Sequence, residues 1–408
     1  MRISIPGTAG NSLHLTYCTN VHPAPDLAGV HRVVREYAEP VRRRLGVDRL
    51  GLGLWLGRAV VDALVAAPSE VERLRAVLDG AGLYIFTLNA FPYGDFQAGA
   101  VKHAVYHPDW SDYERVGYTM ALANLLTRLL SDDLDQASIS TLPVGHGREW
   151  DDDRISLAAL YLMRVARYLH RLAQDTGKRI RLCLEPEPGC VLETTADAIA
   201  FFRGPLLEAA ERDGESPAII DGFLGLCFDC CHQAVAFEDP VASLAALARA
   251  GVRVGKVQLS SALEVAEPGT DGTFGELARF VEPRFLHQVR AAGNGGVVAG
   301  ADDLPAALAA AAAGRFPVSV PWRIHYHVPI HRTGVGGLAT TRPDLERALA
   351  AVLEQEACRH LEVETYTWST LPEGERPDGR DSLVDVIAAE LEWARERITG
   401  QPPSTTGG

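Results

Sequence analysis

Short apolar segments alternate with helical sequence patterns along almost the whole of this 408-residue chain. These segments are too short for helices of a protein core, and they therefore predict buried strands. Repeated strand–helix units predict a parallel sheet, which is either open and doubly wound or closed into an eight-stranded barrel. The nine predicted strands are Leu13–Cys18, Leu50–Leu56, Leu83–Leu88, Ala137–Leu142, Ile180–Glu185, Phe223–Asp229, Val254–Leu259, Trp322–Val328 and His360–Tyr366.

Two observations favour the barrel. The pair Gly51-Leu-Gly53 lies inside a predicted strand and lacks the third glycine of a dinucleotide-binding turn. Polar residues also end the strands across the whole sequence, and a barrel brings all these ends to one mouth. We therefore predict an α/β protein with a (β/α)8 TIM barrel. The polar strand ends are Asn20, Asn89, Thr141, Glu185, Asp229, Gln258, His327 and Glu364.

Nine strands are one more than such a barrel needs. The segment from Gly269 to Pro321 is long, so we expect Trp322–Val328 to be an accessory strand. It would belong to an elaborated loop region between the seventh and eighth barrel strands. We expect one barrel domain over residues 1–398, followed by a polar, disordered tail at 399–408.

Composition narrows the classes of function. The formal net charge of −14 gives no support for a nucleic-acid partner, because phosphate binding needs a basic surface. No apolar stretch is long enough for membrane insertion. Of the seven cysteines, four lie in or beside apolar runs and resemble small buried hydrophobes, which indicates a reducing cytoplasm: Cys18, Cys183, Cys227 and Cys358. A small-molecule partner is the remaining expectation.

The acidic strand ends are the strongest candidates for chemistry. Asp229 leaves the apolar run Phe223–Phe228, and His232 follows three residues later. Glu185 and Glu364 end two other strands. Carboxylates that meet in a pocket repel one another, and a divalent cation removes that conflict. The alternative is a structural set in which Asp229 caps a helix and the other acids form ion pairs.

Histidines accompany these acids. His325 and His327 share a face of the segment Arg323–His327, and neutral imidazole is the commonest metal ligand. The sequence leaves open which of the two rings faces the mouth. Gln258 is a candidate oxygen ligand or substrate donor, and a polar strand end without function is an equal alternative.

Further candidates lie near the strand ends. Asn89 begins a predicted mouth loop in which Phe91 and Tyr93 are placed to stack on a substrate. Glu362 lies on the same face of its predicted strand as Glu364, but we expect its side chain one layer deeper in the barrel. Glu187 lies past its strand end, where it reaches either inward or to the surface.

These motifs resemble the xylose-isomerase-like barrel superfamily, which includes sugar isomerases, ketose 3-epimerases and endonuclease IV. The residues on which this resemblance rests are Glu185, Asp229-x-x-His232, Gln258 and Glu364. Longer segments more narrowly resemble the EboE family, barrel proteins of a gene cluster implicated in moving or processing a small metabolite. These segments are Leu15–Pro23, Asn89–Gly94, Ser138–Pro143 and Leu184–Gly189.

The resemblance implies a divalent metal ion, with zinc or manganese preferred and magnesium possible. In ketose epimerases the ligands are Glu, Asp, His and Glu, which correspond here to Glu185, Asp229, Gln258 and Glu364. Glutamine therefore replaces the histidine, and His327 is a further candidate ligand. The resemblance also implies partner proteins that are encoded alongside this one. It leaves the oligomeric state open.

The implied activity is isomerase- or epimerase-type proton transfer on a polyhydroxylated or sugar-phosphate-like metabolite. Glu185 and Glu364 would exchange the proton through an enediolate. Alternatives are a non-catalytic metabolite traffic protein and a hydrolase in which His232 and His327 complete a second metal site. A nuclease is disfavoured because Asn89 and Thr141 replace histidines of endonuclease IV. The predicted substrate-binding residues are Asn89, Tyr93, His232 and His325.

Overall fold

The computed structural model describes residues 1–4, 12–147, 149–293 and 295–400. Fifteen strands lie within these ranges. They are β1 (Arg2–Ser4), β2 (Ser12–Tyr17), β3 (Leu50–Trp55), β4 (Leu83–Asn89), β5 (Gln136–Thr141), β6 (Arg179–Leu184), β7 (Leu224–Asp229), β8 (Val254–Leu259), β9 (Leu263–Val265), β10 (Val289–Gly293), β11 (Gly296–Ala301), β12 (Trp322–Ile324), β13 (Gly334–Val335), β14 (Leu338–Thr340) and β15 (His360–Val363).

Helices follow most of the barrel strands. In the described ranges, no helix is both long enough and apolar enough to cross a membrane. The α-helices are α1 (Leu27–Val33), α2 (Glu39–Arg44), α3 (Arg58–Ala66), α4 (Pro68–Gly80), α5 (Tyr113–Leu129), α6 (Asp152–Thr176), α7 (Thr195–Arg203), α8 (Pro205–Arg212), α9 (Ala218–Phe223), α10 (Cys230–Val235), α11 (Pro240–Ala250), α12 (Thr273–Ala278), α13 (Leu304–Ala312), α14 (Arg342–Glu354) and α15 (Gly379–Thr399). Short 3-10 helices span Thr19–Val21 and Lys102–Tyr106, and a π-helical turn spans Val34–Ala38.

The predicted barrel is confirmed. Eight parallel strands neighbour one another in the order β2, β15, β8, β7, β6, β5, β4 and β3. A bridge between Cys18 and Gly53 links β2 to β3. The side chain of Thr16 reinforces this seam, because its hydroxyl donates to Gly51 O at 2.7 Å and accepts from Gly53 N at 2.9 Å.

A second sheet fills the connection between β8 and β15. Its six antiparallel strands follow the order β11, β10, β12, β9, β14 and β13, and they enclose an apolar cluster of their own. The expected accessory strand is confirmed as β12, although it ends at Ile324 and not at Val328. His325 and His327 therefore lie in the segment directly after this strand.

The predicted tail begins too early. Helix α15 continues to Thr399, and Gly400 ends it in the left-handed conformation with φ at 67°. A glycine at this position is a common helix terminator, because it adopts positive φ without steric cost. The rest of the predicted tail, 401–408, lies outside the described residues.

Candidate metal centre at the barrel mouth

Three carboxylates meet where the strands of the barrel end. Glu185 follows β6, Asp229 ends β7 and Glu364 follows β15, and the three residues are only 3%, 1% and 4% exposed. One oxygen atom from each lies within 4.8 Å of the other two. The parallel strands bring together residues that are far apart in the sequence.

Asp229 has two tasks. Its Oδ1 accepts from the backbone N of His232 at 2.8 Å and from Ser260 Oγ at 2.9 Å, and the first of these bonds caps α10. Its Oδ2 has no hydrogen-bond partner in the described ranges. Asp229 can therefore cap α10 through Oδ1 and still offer Oδ2 to a metal ion, although the sequence presents these two roles as alternatives.

Side-chain amides hold Glu364 in place. Its Oε1 accepts from Asn20 Nδ2 at 2.8 Å and from Asn89 Nδ2 at 3.0 Å. Its Oε2 accepts from Gln258 Nε2. Three donors from three strand ends therefore fix this carboxylate at the centre of the mouth.

The carboxylates conflict electrostatically. Burial, then Glu364 and Asp229, hold the pKa of Glu185 well above its usual value. Burial and then Asp229 raise the pKa of Glu364 to about 8. At an effective dielectric of 20, two charges 4.8 Å apart repel by roughly 3 kcal/mol. A divalent cation among the three groups would reverse this cost, so the donor set fits a metal ion.

Imidazole rings border the carboxylates, and backbone oxygens fix their orientation. His327 donates through Nδ1 to Glu364 O at 2.7 Å, which leaves its buried Nε2 without a partner in the described structure. His232 donates through Nδ1 to Pro186 O at 2.9 Å. Such anchoring of one ring nitrogen presents the lone pair of the other, as in metal-binding histidines.

His325 is anchored by a side chain that the neighbouring groups orient. Gln288 donates through Nε2 to Tyr106 Oη at 2.8 Å and to Glu187 Oε1 at 3.1 Å. Its Oε1 therefore faces His325, whose Nδ1 donates to it at 2.6 Å. The Nε2 lone pair of His325 then points at Nε2 of His232, 3.0 Å away.

Two lone pairs that face each other repel unless a proton or a metal ion lies between them. Burial, followed by the charge of His232, keeps the pKa of His325 well below its usual value, so this ring is neutral. The observed 3.0 Å is close to the roughly 3.3 Å between two nitrogens on one tetrahedral zinc ion. His232 also shares a potential ligand sphere with Asp229 and His327. Asp229 thus belongs to two groups of potential metal ligands, one with the carboxylates of Glu185 and Glu364 and one with the imidazoles of His232 and His327.

The geometry does not support Gln258 as a metal ligand. Its amide nitrogen faces Glu364, and its oxygen accepts from Cys227 Sγ at 2.9 Å. The amide nitrogen donates a proton and has no lone pair for a cation. The role that the structure gives Gln258 is to position Glu364.

Tyr93 does not reach the mouth. Its ring packs against Tyr118 with centroids 5.0 Å apart, and its hydroxyl accepts from Arg58 Nη1 at 3.2 Å. Phe91, from the same predicted loop, lines the cavity instead. Asn89 also lines it, but its amide nitrogen is engaged by Glu364, and its oxygen accepts from the backbone N of Phe91 at 3.0 Å.

Glu187 is a site residue that the sequence left undecided. It lies within ligand distance of both His232 and His325 and receives a 2.7 Å hydrogen bond from Tyr106 Oη. Prolines on both sides, in Glu185-Pro-Glu-Pro188, were the signal that the chain stays extended past the strand. Gln288 gave no comparable signal because β10, the strand that begins at the next residue, was not predicted.

A buried ion pair lies one layer below, as expected for Glu362. Its Oε1 is 2.6 Å from Lys256 Nζ, which also donates to Ser140 Oγ at 3.0 Å. Burial lowers the pKa of Lys256, but Glu362 together with the nearby Cys227 and Cys18 outweighs burial, so the pKa of the amine is raised. Gly53 makes room for this acid, since a Cβ there would lie 1.5 Å from Glu362 Oε2.

The mouth opens into a cavity with about 500 Å³ of empty space, part of it open to solvent. Its floor contains Glu185, Glu187, Glu364 and the three imidazoles, and its wall is largely apolar. Lys102 is the single lysine or arginine among the described lining residues. Its amine is paired with Asp303 Oδ2 at 2.6 Å. The cavity therefore offers no free cationic side chain for a phosphate, within the described ranges.

Comparisons with known proteins agree with this architecture. No family model and no curated protein matches the chain. Among solved structures, it is similar to a xylose isomerase-like TIM barrel protein from Mycobacterium smegmatis in complex with magnesium. The TM-score is 0.51 and the identity 13%, over 95% of this chain and 97% of that one. At this identity the similarity shows the fold, which is a TIM barrel.

A second similar structure is a candidate sugar phosphate isomerase/epimerase from Anabaena variabilis. The TM-score is 0.50 and the identity 12%, over 96% of this chain and 100% of that one. At these identities the likeness concerns the fold alone. The narrower resemblance to EboE stays a prediction.

Proposed function

We propose that this protein is a metal-dependent enzyme that removes a proton from the carbon next to the carbonyl of an α-hydroxy carbonyl compound and returns a proton to the adjacent carbon, as isomerases do, or to the other face of the same carbon, as epimerases do. The observation that carries the proposal is the convergence of Glu185, Asp229 and Glu364 within 4.8 Å of one another. Glu185 Oε2 and Asp229 Oδ2 lack hydrogen-bond partners in the described structure and so remain available to a cation or a ligand.

The proposed metal ligands are Glu185, Asp229 and Glu364, with Nε2 of His327 beside them. Zinc or manganese suits a donor set of oxygens with nitrogen, and magnesium suits the oxygens. A bound cation would supply polarisation of the ligand's carbonyl oxygen and so make the adjacent C–H more acidic.

The chain's own carboxylates would move the proton. Glu185 takes it from the carbon next to the carbonyl, and the C–H electron pair forms the enediolate double bond. The π pair of the carbonyl group moves onto its oxygen. In an isomerase, the hydroxyl proton of the deprotonated carbon then passes to that oxygen and a proton is added to the former carbonyl carbon. In an epimerase, a proton is added to the other face of the deprotonated carbon and the carbonyl group forms again. Glu364, held by three amides, is placed to deliver the added proton.

Deuterium exchange tests this proposal directly. Metal-loaded protein is incubated in deuterated water with hydroxyacetone, longer 1-hydroxyalkan-2-ones and ketoses, and exchange next to the carbonyl is followed by NMR. We expect exchange with the parent protein and its loss in Glu185→Gln and in Glu364→Gln. Glu346→Gln, which changes an ion-paired carboxylate on α14, is the matched control.

Two outcomes would overturn the proposal. One is no exchange from any of these compounds beyond that of the free metal ion. The other is exchange that survives both glutamine substitutions. Tight binding without exchange would indicate a non-catalytic metabolite traffic protein.

A second candidate function is metal-assisted hydrolysis. The observation that favours it is the pair of opposed Nε2 atoms of His232 and His325, which offers nitrogen donors for a second cation. Two metal ions per chain and cleavage of a small phosphate ester, both lost in His232→Ala, would support it. One metal ion and no cleavage would exclude it.

The cytoplasm remains the proposed compartment. All seven cysteines are buried thiols without disulfide bonds. Such cysteine usage is typical of proteins in reducing compartments.

A further inference from the structure

The cavity next to the three carboxylates has two chemically different parts. The floor consists of Glu185, Glu187, Glu364, the imidazoles and the amides of Asn20 and Asn89. Most of the remaining wall is hydrocarbon. Seven of its residues carry no polar side-chain atom: Phe91, Pro92, Phe96, Val101, Val105, Phe285 and Leu286.

Three aromatic rings give the wall a fixed shape. Phe96 and Phe285 have centroids 4.8 Å apart, and Tyr366 lies 5.1 Å from the first and 4.9 Å from the second. Phe96 follows β4, Phe285 precedes β10 and Tyr366 follows β15. Since three separate segments supply these rings, the apolar wall is part of the folded architecture and not the side of one loop.

Lys102 and Tyr106, two of the three polar side chains along this wall, are already engaged; the third, the Tyr366 hydroxyl, has no hydrogen-bond partner in the described ranges. Lys102 Nζ donates to Glu282 O at 3.2 Å and to Phe285 O at 2.7 Å, and it pairs with Asp303 at 2.6 Å. These three contacts use all three donors of an ammonium group. A ligand hydroxyl placed beside this wall would lose its bonds to water and gain none from the lysine.

The other engaged group is Tyr106. Its hydroxyl donates to Glu187 Oε1 at 2.7 Å and accepts from Gln288 Nε2 at 2.8 Å. These bonds tie it to the network that orients His325, so it is not free to replace the water around a ligand hydroxyl. A chain of several hydroxyl groups, or a phosphate, is therefore a poor match for the wall.

We infer that the ligand is amphipathic, with a hydroxy-carbonyl head at the carboxylates and an alkyl or aryl tail against the wall. This inference rests on the proposed function for the head, and it goes beyond it for the tail. It replaces the polyhydroxylated or phosphorylated substrate that the sequence suggested. The reason is that those substrates would bury hydroxyl or phosphate oxygens against hydrocarbon.

A chain-length series tests the tail without changing the protein. Binding of hydroxyacetone, 1-hydroxybutan-2-one, 1-hydroxyhexan-2-one, D-fructose and D-fructose 6-phosphate to metal-loaded protein is measured by titration calorimetry. Each methylene buried in the cavity should tighten binding about fourfold. The two sugars should bind no tighter than hydroxyacetone. A sugar that binds tighter than the six-carbon hydroxy ketone would overturn the inference.

A wall substitution adds a second measurement. Phe96→Gln places an amide among the three rings and should flatten the chain-length dependence, while the metal content stays that of the parent protein. Phe274→Gln is the control, since this ring stacks on Trp322 in the six-stranded sheet, with centroids 6.0 Å apart. Equal chain-length dependence in both variants would contradict the assigned role of Phe96.

The two proposals fail differently. If no compound binds, including hydroxyacetone, the hydroxy-carbonyl function itself is wrong. If hydroxyacetone binds and exchanges its protons but the sugars bind best, the function stands and the apolar tail is wrong.

Discussion

The Nε2 atoms of His232 and His325 face each other at 3.0 Å, although each ring donates its Nδ1 proton elsewhere. Pro186 O and Gln288 Oε1 receive those protons, so both facing nitrogens present lone pairs. Together with the crowded carboxylates, this arrangement makes a bound cation the simplest way to stabilise the barrel mouth.

Removing the metal should lower stability. A cation at a concentration 100 times its dissociation constant adds about 2.7 kcal/mol to the free energy of unfolding. We therefore expect chelation to lower the melting temperature by several degrees and re-addition of zinc or manganese to restore it. Asp229→Asn should abolish this response, because the residue contributes to both donor sets. A melting temperature unaffected by chelator would contradict the prediction.

Metal affinity should rise with pH. Burial and Asp229 raise the pKa of Glu364 to about 8 in the metal-free protein, so a cation must displace its proton at neutral pH. One displaced proton changes the apparent affinity by at most about tenfold per pH unit below that pKa. Calorimetric titration with manganese at pH 6, 7 and 8 should show tighter binding at each step, with proton release to the buffer. Equal affinity at all three pH values would refute this linkage.

We expect Gln288 to affect the affinity for the metal ion although it is not itself a metal ligand. Its Oε1 accepts from His325 Nδ1 at 2.6 Å and so sets the direction of the opposite nitrogen. Loss of such a positioning partner typically weakens metal affinity by about 10- to 100-fold. We expect this loss in Gln288→Ala and no loss in the exposed control Gln355→Ala, with metal competition as the measurement. Unchanged zinc affinity in the first variant would show that His325 needs no anchor.

A buried acid outside the site should make stability fall as pH rises. Glu390 Oε1 accepts from Ile330 N at 3.0 Å and from Thr365 Oγ1 at 2.7 Å, and burial raises the pKa of this acid to about 7. Because the folded protein binds this proton more tightly than the unfolded chain, the contribution is complete below about pH 4.5. It is lost as pH rises through about 7, and it amounts to about 3 kcal/mol.

Glu390→Gln keeps an oxygen acceptor and removes the titration. Urea unfolding of parent and variant at pH 5 and pH 8 should therefore show the variant gaining stability relative to the parent at the higher pH. A difference in stability that is the same at both values would show that Glu390 does not titrate in this range.

Much of the barrel could be predicted because its strands carry a local signal. Seven of the eight predicted barrel strands agree with the structure to within one residue at each end, and the last ends at Val363 instead of Tyr366. Each strand is a short apolar run, buried on both faces, and such a run is visible without knowledge of its neighbours. The convergence of Glu185, Asp229 and Glu364 follows from the same topology, because parallel strands share one mouth.

The orientation of side chains at the site and the strands of the second sheet could not be predicted in this way, because they depend on contacts between residues that are distant in the sequence. Which atom of Gln258 faces Glu364 is decided by Cys227, a residue of the neighbouring strand. Tyr93 turns away from the mouth because Arg58 and Tyr118 bind it. Five strands of the second sheet are short or rich in small residues, so they gave no period-2 pattern. Gln288 lies just before one of them and was missed with it.

The central claim is that Glu185, Asp229 and Glu364 hold a divalent cation in the barrel mouth. Elemental analysis of purified protein, combined with anomalous diffraction from its crystals, tests this most directly. We expect at least one zinc or manganese ion per chain, with an anomalous peak within about 2.0–2.3 Å of oxygens from all three residues. Protein that contains no metal after growth with both ions, and crystals soaked in them without a peak at this position, would contradict it.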